Sequence, residues 1–451
     1  MGTYHFIAIG GIGMSGLAKY LLEDGHTVSG SDIADSKYVD KLRQLGAKVS
    51  IGHSAENVPD GATVVVSTAI RENNPELVRA RELGLKIYHR SDLLKEIASS
   101  AQNNGKCFIG FSGTHGKTTT SGLASYVLEK GGLEPSFVDG GILPDINTNA
   151  QHKGGKHFVA ELDESDGTIV KYSPDILVIN NLEEDHIDFY KNGMSDIIKT
   201  FKTAISKAKK VIVNADNNGV KNLSGNFITF GLENADYTAK NIVYSSDGTT
   251  FEIYKGDKFI SSMKIQLSGI HNVYNTLAVA AALTEAGIDI NLIKPYFYDF
   301  TGMGRRFQKI CEINGFCVYD DYAHHPTEIK ATLDAASKKF GKESIVAVFQ
   351  PHRYTRLKSL WNEFLGAFEN AGRVIVTDVY AASEDEIEGI HSEKFASELK
   401  GSEYISGNMS EVAQKLLPSL KQGDIVIGLG AGTITALGKE LEKQSALVAK
   451  S

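Results

Sequence analysis

The chain has 451 residues, with 47 Lys and Arg against 55 Asp and Glu and a formal net charge of −8. That length exceeds one ordinary core and predicts two to four domains, and the mild acidity argues against a nucleic-acid partner, which calls for clustered positive charge. No run approaches the roughly 18 apolar residues of a membrane span, no basic-then-apolar leader opens the chain, and Cys107, Cys311 and Cys317 look like small buried residues of a reducing compartment; a cytoplasmic protein without membrane insertion is expected.

The first hundred residues alternate strand and helix signals, with strands expected at His5–Ile9, Thr27–Gly30, Lys48–Ile51 and Thr63–Ser67 and a helix over Val39–Gly46. Gly11-Ile12-Gly13-Met14-Ser15-Gly16 matches GxGxxG at the first strand–helix junction, and Asp32 follows the second strand, where a ribose-binding acid would sit. Pyrophosphate at a helix N-terminus is the physics of this motif, so NAD and a UDP group both satisfy it. The polar run SSAQNNG, Ser99–Gly105, is a candidate linker.

Residues 110–121, GFSGTHGKTTTS, follow the apolar run Lys106–Ile109. A strand, a glycine loop and a helix opening at Gly116-Lys117-Thr118 aim backbone N–H groups and a positive helix end at one place, which suits a triphosphate. Lys117 adds a charge for the outer phosphates, and the Thr118 hydroxyl is placed for Mg²⁺. Further strands are expected at His157–Glu161, Asp175–Asn180 and Lys210–Asn214. The run VAELDESDG gathers Glu161, Asp163, Glu164 and Asp166; such crowding of like charges calls for a cation. NNLEEDHID places His186 among acids after the next strand. Alternating residues from Tyr237 to Ser268 predict antiparallel hairpins turning at Asp247-Gly248 and Gly256-Asp257. In the helix Asn272–Ala286, Asn272 and Asn275 share a face and suit either an adenine edge or, for Asn272, an N-cap.

A third α/β segment begins near Arg305, with strands at Phe316–Tyr319, Ser344–Phe349, Arg373–Thr377 and Asp424–Gly428. GMGRRF carries Arg305 and Arg306 at the boundary, a possible phosphate clamp. Asp320–Pro326 (DDYAHHP) and Phe349–Arg356 (FQPHRYTR) follow strands, where open α/β sheets place their sites. The turn Gly428–Thr433 suits a phosphate contact and a plain strand–helix turn equally.

Taken in order, GGIGMSG, GTHGKTTT, ELDESDG, NNLEEDHIDFY, GIHNVYN, GRRFQ, DDYAHHPTE and FQPHRYTR resemble the Mur ligases, ATP-dependent amide-forming enzymes of peptidoglycan precursor synthesis, over essentially the whole chain. The resemblance is strongest to the alanine-adding branch, with the branch that recycles a murein tripeptide as the alternative. It implies three α/β domains: a Rossmann-like UDP-sugar domain over 1–104, a P-loop ATPase-like central domain with a mixed sheet over 105–304, and a Rossmann-like amino-acid domain over 305–451. It implies that L-alanine is joined to the lactyl carboxylate of UDP-N-acetylmuramate through an acyl phosphate. ATP and two Mg²⁺, with Mn²⁺ able to substitute, are the implied cofactors, and a monomer or weak dimer the implied state. Gly11, Ile12, Gly13, Met14, Ser15, Asp32, His53, Ser67 and Thr68 would bind the UDP sugar. Gly113, Thr114, His115, Gly116, Lys117, Thr118 and Thr119 would take the ATP phosphates, Asn272 and Asn275 the adenine, and Arg306 a phosphate from the boundary. Thr118, Glu164 and His186 would hold metal; Tyr322, His324, His352, Arg353 and Arg356 would hold the amino acid; and Lys117, Glu164, His186, His324 and Arg353 would be catalytic. A nicotinamide oxidoreductase would leave Gly116-Lys117-Thr118 without a role, and a non-catalytic nucleotide-binding module would leave DESD, EEDH and HRYTR without one.

Overall fold

The computed structural model describes residues 1–186, 189–245, 247–267, 269–382 and 384–448; Ile187 and Asp188 of the NNLEEDHIDFY run, and Ser246 and Ser268 of the hairpin run, lie outside them. Three α/β lobes, one on each of three sheets, divide between two compact units, Met1–Thr301 with two sheets and Gly302–Ser451 with one.

The first sheet has five parallel strands, Thr3–Ile7, Thr27–Asp32, Lys48–Ile51, Thr63–Val66 and Ile87–His89, in spatial order 3-2-1-4-5. Alternation sends Phe6 into a core with Leu17, Leu93 and Ile97, and Ile7 to the opposite face with Val64, Leu77 and Ala80. The first strand ends at Ile7, two residues before the expected Ile9, because Ala8 turns to φ 61° to enter the glycine loop. Within the expected linker, Ser99–Gly105, helix Arg90–Asn103 continues to Asn103, with Ala98 and Ala101 buried while Ser99, Ser100 and Asn103 face water, and the chain leaves it at Asn104-Gly105 for the second sheet. The polarity of the linker's first five residues marks the solvated face of that helix.

The second sheet has ten strands. Seven run parallel, from Tyr237–Ser245 through Ile228–Gly231, Lys210–Asn214, Ile176–Ile179, Cys107–Ser112 and His157–Glu161 to Ser136–Leu143. Antiparallel strands Gly248–Lys255 and Lys258–Ile265 extend one edge and Thr148–Gln151 the other. The hairpin expectation holds; Ser136–Leu143 escaped sequence analysis because its Gly140-Gly141 pair looks like a loop. The phosphate-loop strand Cys107–Ser112 lies at the middle of the parallel run, between Ile176–Ile179 and His157–Glu161, whose C-terminal ends carry the two acidic motifs.

In the second unit five parallel strands, Phe316–Asp321, Ile425–Leu429, Ile345–Phe349, Arg373–Val376 and Ser402–Tyr404, follow one antiparallel edge strand, Gln308–Ile313. Within this unit the glycine turn after Leu429 is stitched by protein groups: Gln350 Oε1 accepts from the Ile434 amide at 2.9 Å, and Arg305 Nη2 donates to the Gly430 carbonyl at 2.7 Å. Of its two sequence readings, the structural turn is the one these bonds support. Among the described residues no helix is long and apolar enough to cross a membrane.

Candidate active site

Strand Cys107–Ser112 passes through Gly113, at φ +124°, and Gly116, at φ +81°, into helix Lys117–Lys130. Both glycines hold conformations that side chains resist, and both are crowded. A Cβ on Gly113 would sit 2.8 Å from the Asn181 carbonyl, and one on Gly116 would sit 2.7 Å from Asn275 Oδ1. The Asn180-Asn181 pair, which sequence analysis gave no role, sews this loop to the neighbouring strand. Asn181 accepts the Thr114 amide through its carbonyl at 3.1 Å and the His115 amide through Oδ1 at 2.7 Å. Those two amides are thereby engaged, a correction to a cradle built from the whole loop. Among the described residues no carbonyl accepts from the amides of Lys117, Thr118 or Thr119, so the open donors are those of the helix start.

Lys117 Nζ donates to Glu164 Oε1 at 2.9 Å and to the carbonyls of Gly113 and Thr114 at 2.7 and 3.1 Å. Burial works to lower this ammonium, yet Glu164, Asp163 and Glu161 hold it above its ordinary value. Burial pushes the Glu164 carboxyl up, and Lys117 opposes that shift. The four clustered carboxylates engage different protein groups. Asp163 pairs with Arg90 at 3.0 Å, Asp166 accepts from the Thr168 amide at 3.1 Å, and Glu161 accepts from the Gly140 amide at 3.0 Å. Against burial, Lys117 and Arg90 hold Asp163 down at about 2. Glu164 alone keeps a buried oxygen, Oε2, with no hydrogen-bond partner. That orphan beside an open helix start fits a divalent ion. Mg²⁺ takes one or two carboxylates and completes its shell with phosphate and water, a set that Glu164 Oε2 and a bound triphosphate would supply. His186 sits at φ 54° with Nε2 3.6 Å from Asp185 Oδ2.

Asn272 and Asn275 meet as their spacing requires, Asn275 Nδ2 donating to Asn272 Oδ1 at 3.3 Å. Asn275 is buried and braces Gly116.

At the glycine fingerprint, Asp32 differs from expectation. Its Oδ2 accepts from the Gly10 amide at 2.8 Å and its Oδ1 from the Ala34 amide at 3.4 Å, so it braces the loop. Ser15 donates its amide to Gly11 and its hydroxyl to Ile12, and Met14 is in the core, leaving the amides of Ile12, Gly13 and Met14 as the open donors. Gly16 approaches the second sheet, where Asn149 Nδ2 donates to the Ile12 carbonyl at 2.7 Å. His53, Ser67 and Thr68 lie at the C-terminal edge of the first sheet, in the turns after the third and fourth strands. A cavity of 70 Å³ runs from Gly13 past Arg90 and Tyr172 to Asp139, Glu161 and Asp163. Arg90 and Asp139 carried no motif and were missed.

In the second unit the loops after strands Phe316–Asp321 and Ile345–Phe349 bring Tyr322, His324, His352, Arg353 and Arg356 to one sheet edge. His324 and His352 rings are 5.7 Å apart, His352 stacks on Tyr380 at 5.6 Å, and Arg356 donates to His352 Nδ1 at 3.2 Å. Burial, with His324 and Arg356, lowers the His352 pKa to about 3, so its imidazole is neutral. Arg353 adopts φ 70° with its amide on the Tyr380 carbonyl at 2.9 Å. Tyr380 was not anticipated. Arg305 is structural within this unit, its Nε 3.1 Å from Asp320 Oδ2, and Arg306 lies 3.6 Å from Glu328 with its guanidinium over Tyr322.

Three family descriptions match in order: Mur ligase family, catalytic domain, over residues 3–102; Mur ligase middle domain over 111–283; and Mur ligase, glutamate ligase domain, over 305–432. The UDP-N-acetylmuramate–L-alanine ligase of Geotalea daltonii is 42% identical over 450 residues, covering 97% of this chain and 96% of that one. The enzyme of the same name from Trichlorobacter lovleyi is 40% identical, with 98% of each chain covered. Among solved structures, UDP-N-acetylmuramate–alanine ligase from Thermotoga maritima superposes with a TM-score of 0.84 at 29% identity over 100% of both chains. A murein peptide ligase from Psychrobacter arcticus, at 22% identity and a TM-score of 0.72 over 99% of both chains, shares the fold.

Proposed function

The chain belongs to the Mur ligase family, and from that premise we propose that it joins L-alanine to the lactyl carboxylate of UDP-N-acetylmuramate, consuming ATP. The observation that carries the local chemistry is the buried Lys117–Glu164 pair at a helix start with open amides. A carboxylate oxygen is a poor leaving group. The γ-phosphoryl of ATP is transferred to the lactyl carboxylate, giving an acyl phosphate and ADP. The uncharged amine of alanine then attacks the acyl carbon, phosphate leaves with the bonding pair of the C–O bond, and the nitrogen gives up one proton, giving the amide and hydrogen phosphate.

Lys117 stabilises charge on the phosphoryl group in flight as a preorganised cation. The amides of Lys117, Thr118 and Thr119 hold phosphate oxygens, and Gly113, Thr114, His115 and Gly116 shape the loop around them. Glu164, with its unpartnered Oε2, the Thr118 hydroxyl and His186 are the proposed holders of Mg²⁺, which supplies Lewis-acid neutralisation of phosphate charge. Asn272 is the proposed adenine contact. The small cavity from Gly13 to Glu161 joins the fingerprint to the acidic strand end, consistent with a UDP sugar held at the fingerprint. Tyr322, His324, His352, Arg353 and Arg356 are proposed to take alanine; Arg353 and Arg356 suit its carboxylate. Dependence on UDP- and ATP-linked substrates supports a cytoplasmic location.

Phosphate release from Mg-ATP with UDP-N-acetylmuramate tests this reading, run with L-alanine and in parallel with a murein tripeptide, the product identified by mass. Alanine-dependent turnover is expected. Turnover with tripeptide alone would move the chain to the recycling branch, whose fold it shares.

A further inference from the structure

One face of the first sheet carries a buried chain of hydrogen bonds with no part in the chemistry above. His5 and Ser29 are register partners, and Ser31 follows two residues along the same strand, so all three face helix Pro75–Glu82. From that helix Glu76, 0% exposed, reaches into them. Its Oε1 accepts from Asn57 Nδ2 at 2.7 Å and from the Ser54 amide at 3.2 Å. Its Oε2 accepts from the Ser31 hydroxyl at 2.6 Å and lies 3.2 Å from His5 Nε2. Burial works to raise this carboxyl, yet the bonds from His5, Asn57 and Ser31 hold it below its ordinary value. An aliphatic side chain would pack against Leu77 and Ala80 without that desolvation cost, so packing alone does not account for the network.

The direction of the chain is forced. A hydroxyl has one proton, and a carboxylate only accepts. Ser31 donates to Glu76, so its oxygen must accept from His53 Nδ1, 2.8 Å away. His53 therefore carries its proton on Nδ1. Its side chain is 17% exposed, and among the described residues Nε2 has no hydrogen-bond partner. Nε2 is thus a bare acceptor at the C-terminal edge of the sheet, the edge that carries the fingerprint loop and Ser67.

We propose that Glu76 is a positioning residue: through Ser31 it holds His53 in the Nδ1–H tautomer, so that Nε2 accepts the imide N3–H of a uracil base and rejects cytosine, whose N3 is itself an acceptor. The base assignment rests on the first lobe being the UDP site; the relay does not.

Glu76→Gln inverts the relay. The position of Oε1 must remain an acceptor for Asn57 and Ser54, so the glutamine NH₂ faces Ser31 and donates; Ser31 turns its proton to His53 Nδ1, and His53 carries its own on Nε2. The experiment uses the full chain with ¹⁵N-labelled histidine, His53 being assigned by the loss of its signals in His53→Asn, and reads the tautomer by long-range ¹H–¹⁵N correlation. UDP and CDP affinities are measured by calorimetry on the same samples. The expected results are Nδ1–H in the parent, Nε2–H in Glu76→Gln, and a UDP-over-CDP preference that falls about tenfold in the variant, the worth of one hydrogen bond. Ser31→Ala, a smaller change, is expected to mix the tautomers and weaken the preference with the fold intact. A parent His53 protonated on Nε2 overturns the relay without recourse to any variant. An unchanged UDP-to-CDP ratio in Ser31→Ala overturns its role in base selection. A parent that binds neither nucleotide removes the UDP reading of the lobe, while the tautomer still decides the relay.

Discussion

Lys117 and Glu164 are each the other's largest compensation for burial, so removing one leaves the other without its main partner. Lys117→Ala is expected to lower alanine-dependent phosphate release by about a hundredfold or more; a loss under about threefold would remove Lys117 from phosphoryl transfer. Asp139 makes a prediction of a different kind. It is 2% exposed, and burial raises its carboxyl from 3.8 to about 8 against the opposing pull of Ser125 and Ser121. Between those values the folded chain keeps a proton that the unfolded chain has lost, so this residue's contribution to stability declines as pH rises through that window. Asp139→Asn has no such proton. Its stability relative to the parent is expected to improve by roughly 1 kcal/mol per pH unit between about pH 5 and 8, read from urea unfolding; a pH-independent difference would show Asp139 ionised throughout.

At the level of elements, the glycine fingerprint serves two surfaces. Its first turn presents open amides, whereas Gly16 lets helix Ile12–Glu23 approach the second sheet: a Cβ there would stand 2.7 Å from Asn149 Nδ2. Gly16→Ala is expected to cost about 1–3 kcal/mol by overpacking, and Asn149→Ala is expected to restore part of it in the double variant; additive thermal shifts would show that the two do not meet. The motif was legible as GxGxxG because tight turns select glycine whatever lies beyond them. That its last glycine faces Asn149, more than 130 positions away, was not legible. The phosphate loop divides similarly. Gly113, Gly116 and Lys117 announce themselves by type and spacing, while Asn180 and Asn181, which engage part of the loop's own amides, are common turn residues without a distinguishing pattern.

Over the whole molecule, the chain divides at Thr301 and Gly302, and the second unit contains its own sheet and its own cores around Phe349 and Val348. Residues 302–451 expressed alone are therefore expected to unfold cooperatively in urea; a non-cooperative fragment would show that this core depends on the rest of the chain. Selectivity is also a property of the complete enzyme. Alanine and glycine differ by one methyl, worth roughly tenfold, so measurable glycine incorporation is expected in the product assay, and discrimination of several thousandfold would require more than a simple methyl pocket.

Residue type and spacing alone were enough to identify the α/β class, the order of the motifs and the pairing of a triphosphate loop with an acidic strand end. These features follow from local rules: the alternation of strands, the conformational freedom of glycine, and the helix start as an anion site. Tertiary structure alone decided the partner of each polar group. Asp32 turned to Gly10, Asp163 to Arg90, Glu164 to Lys117 with one oxygen left over, and Glu76 to Ser31. Hydrogen bonds form between groups that the fold brings within about 3 Å, and apart from Asp32 and Gly10, which one βαβ unit joins, no local pattern encodes which distant residue will arrive there.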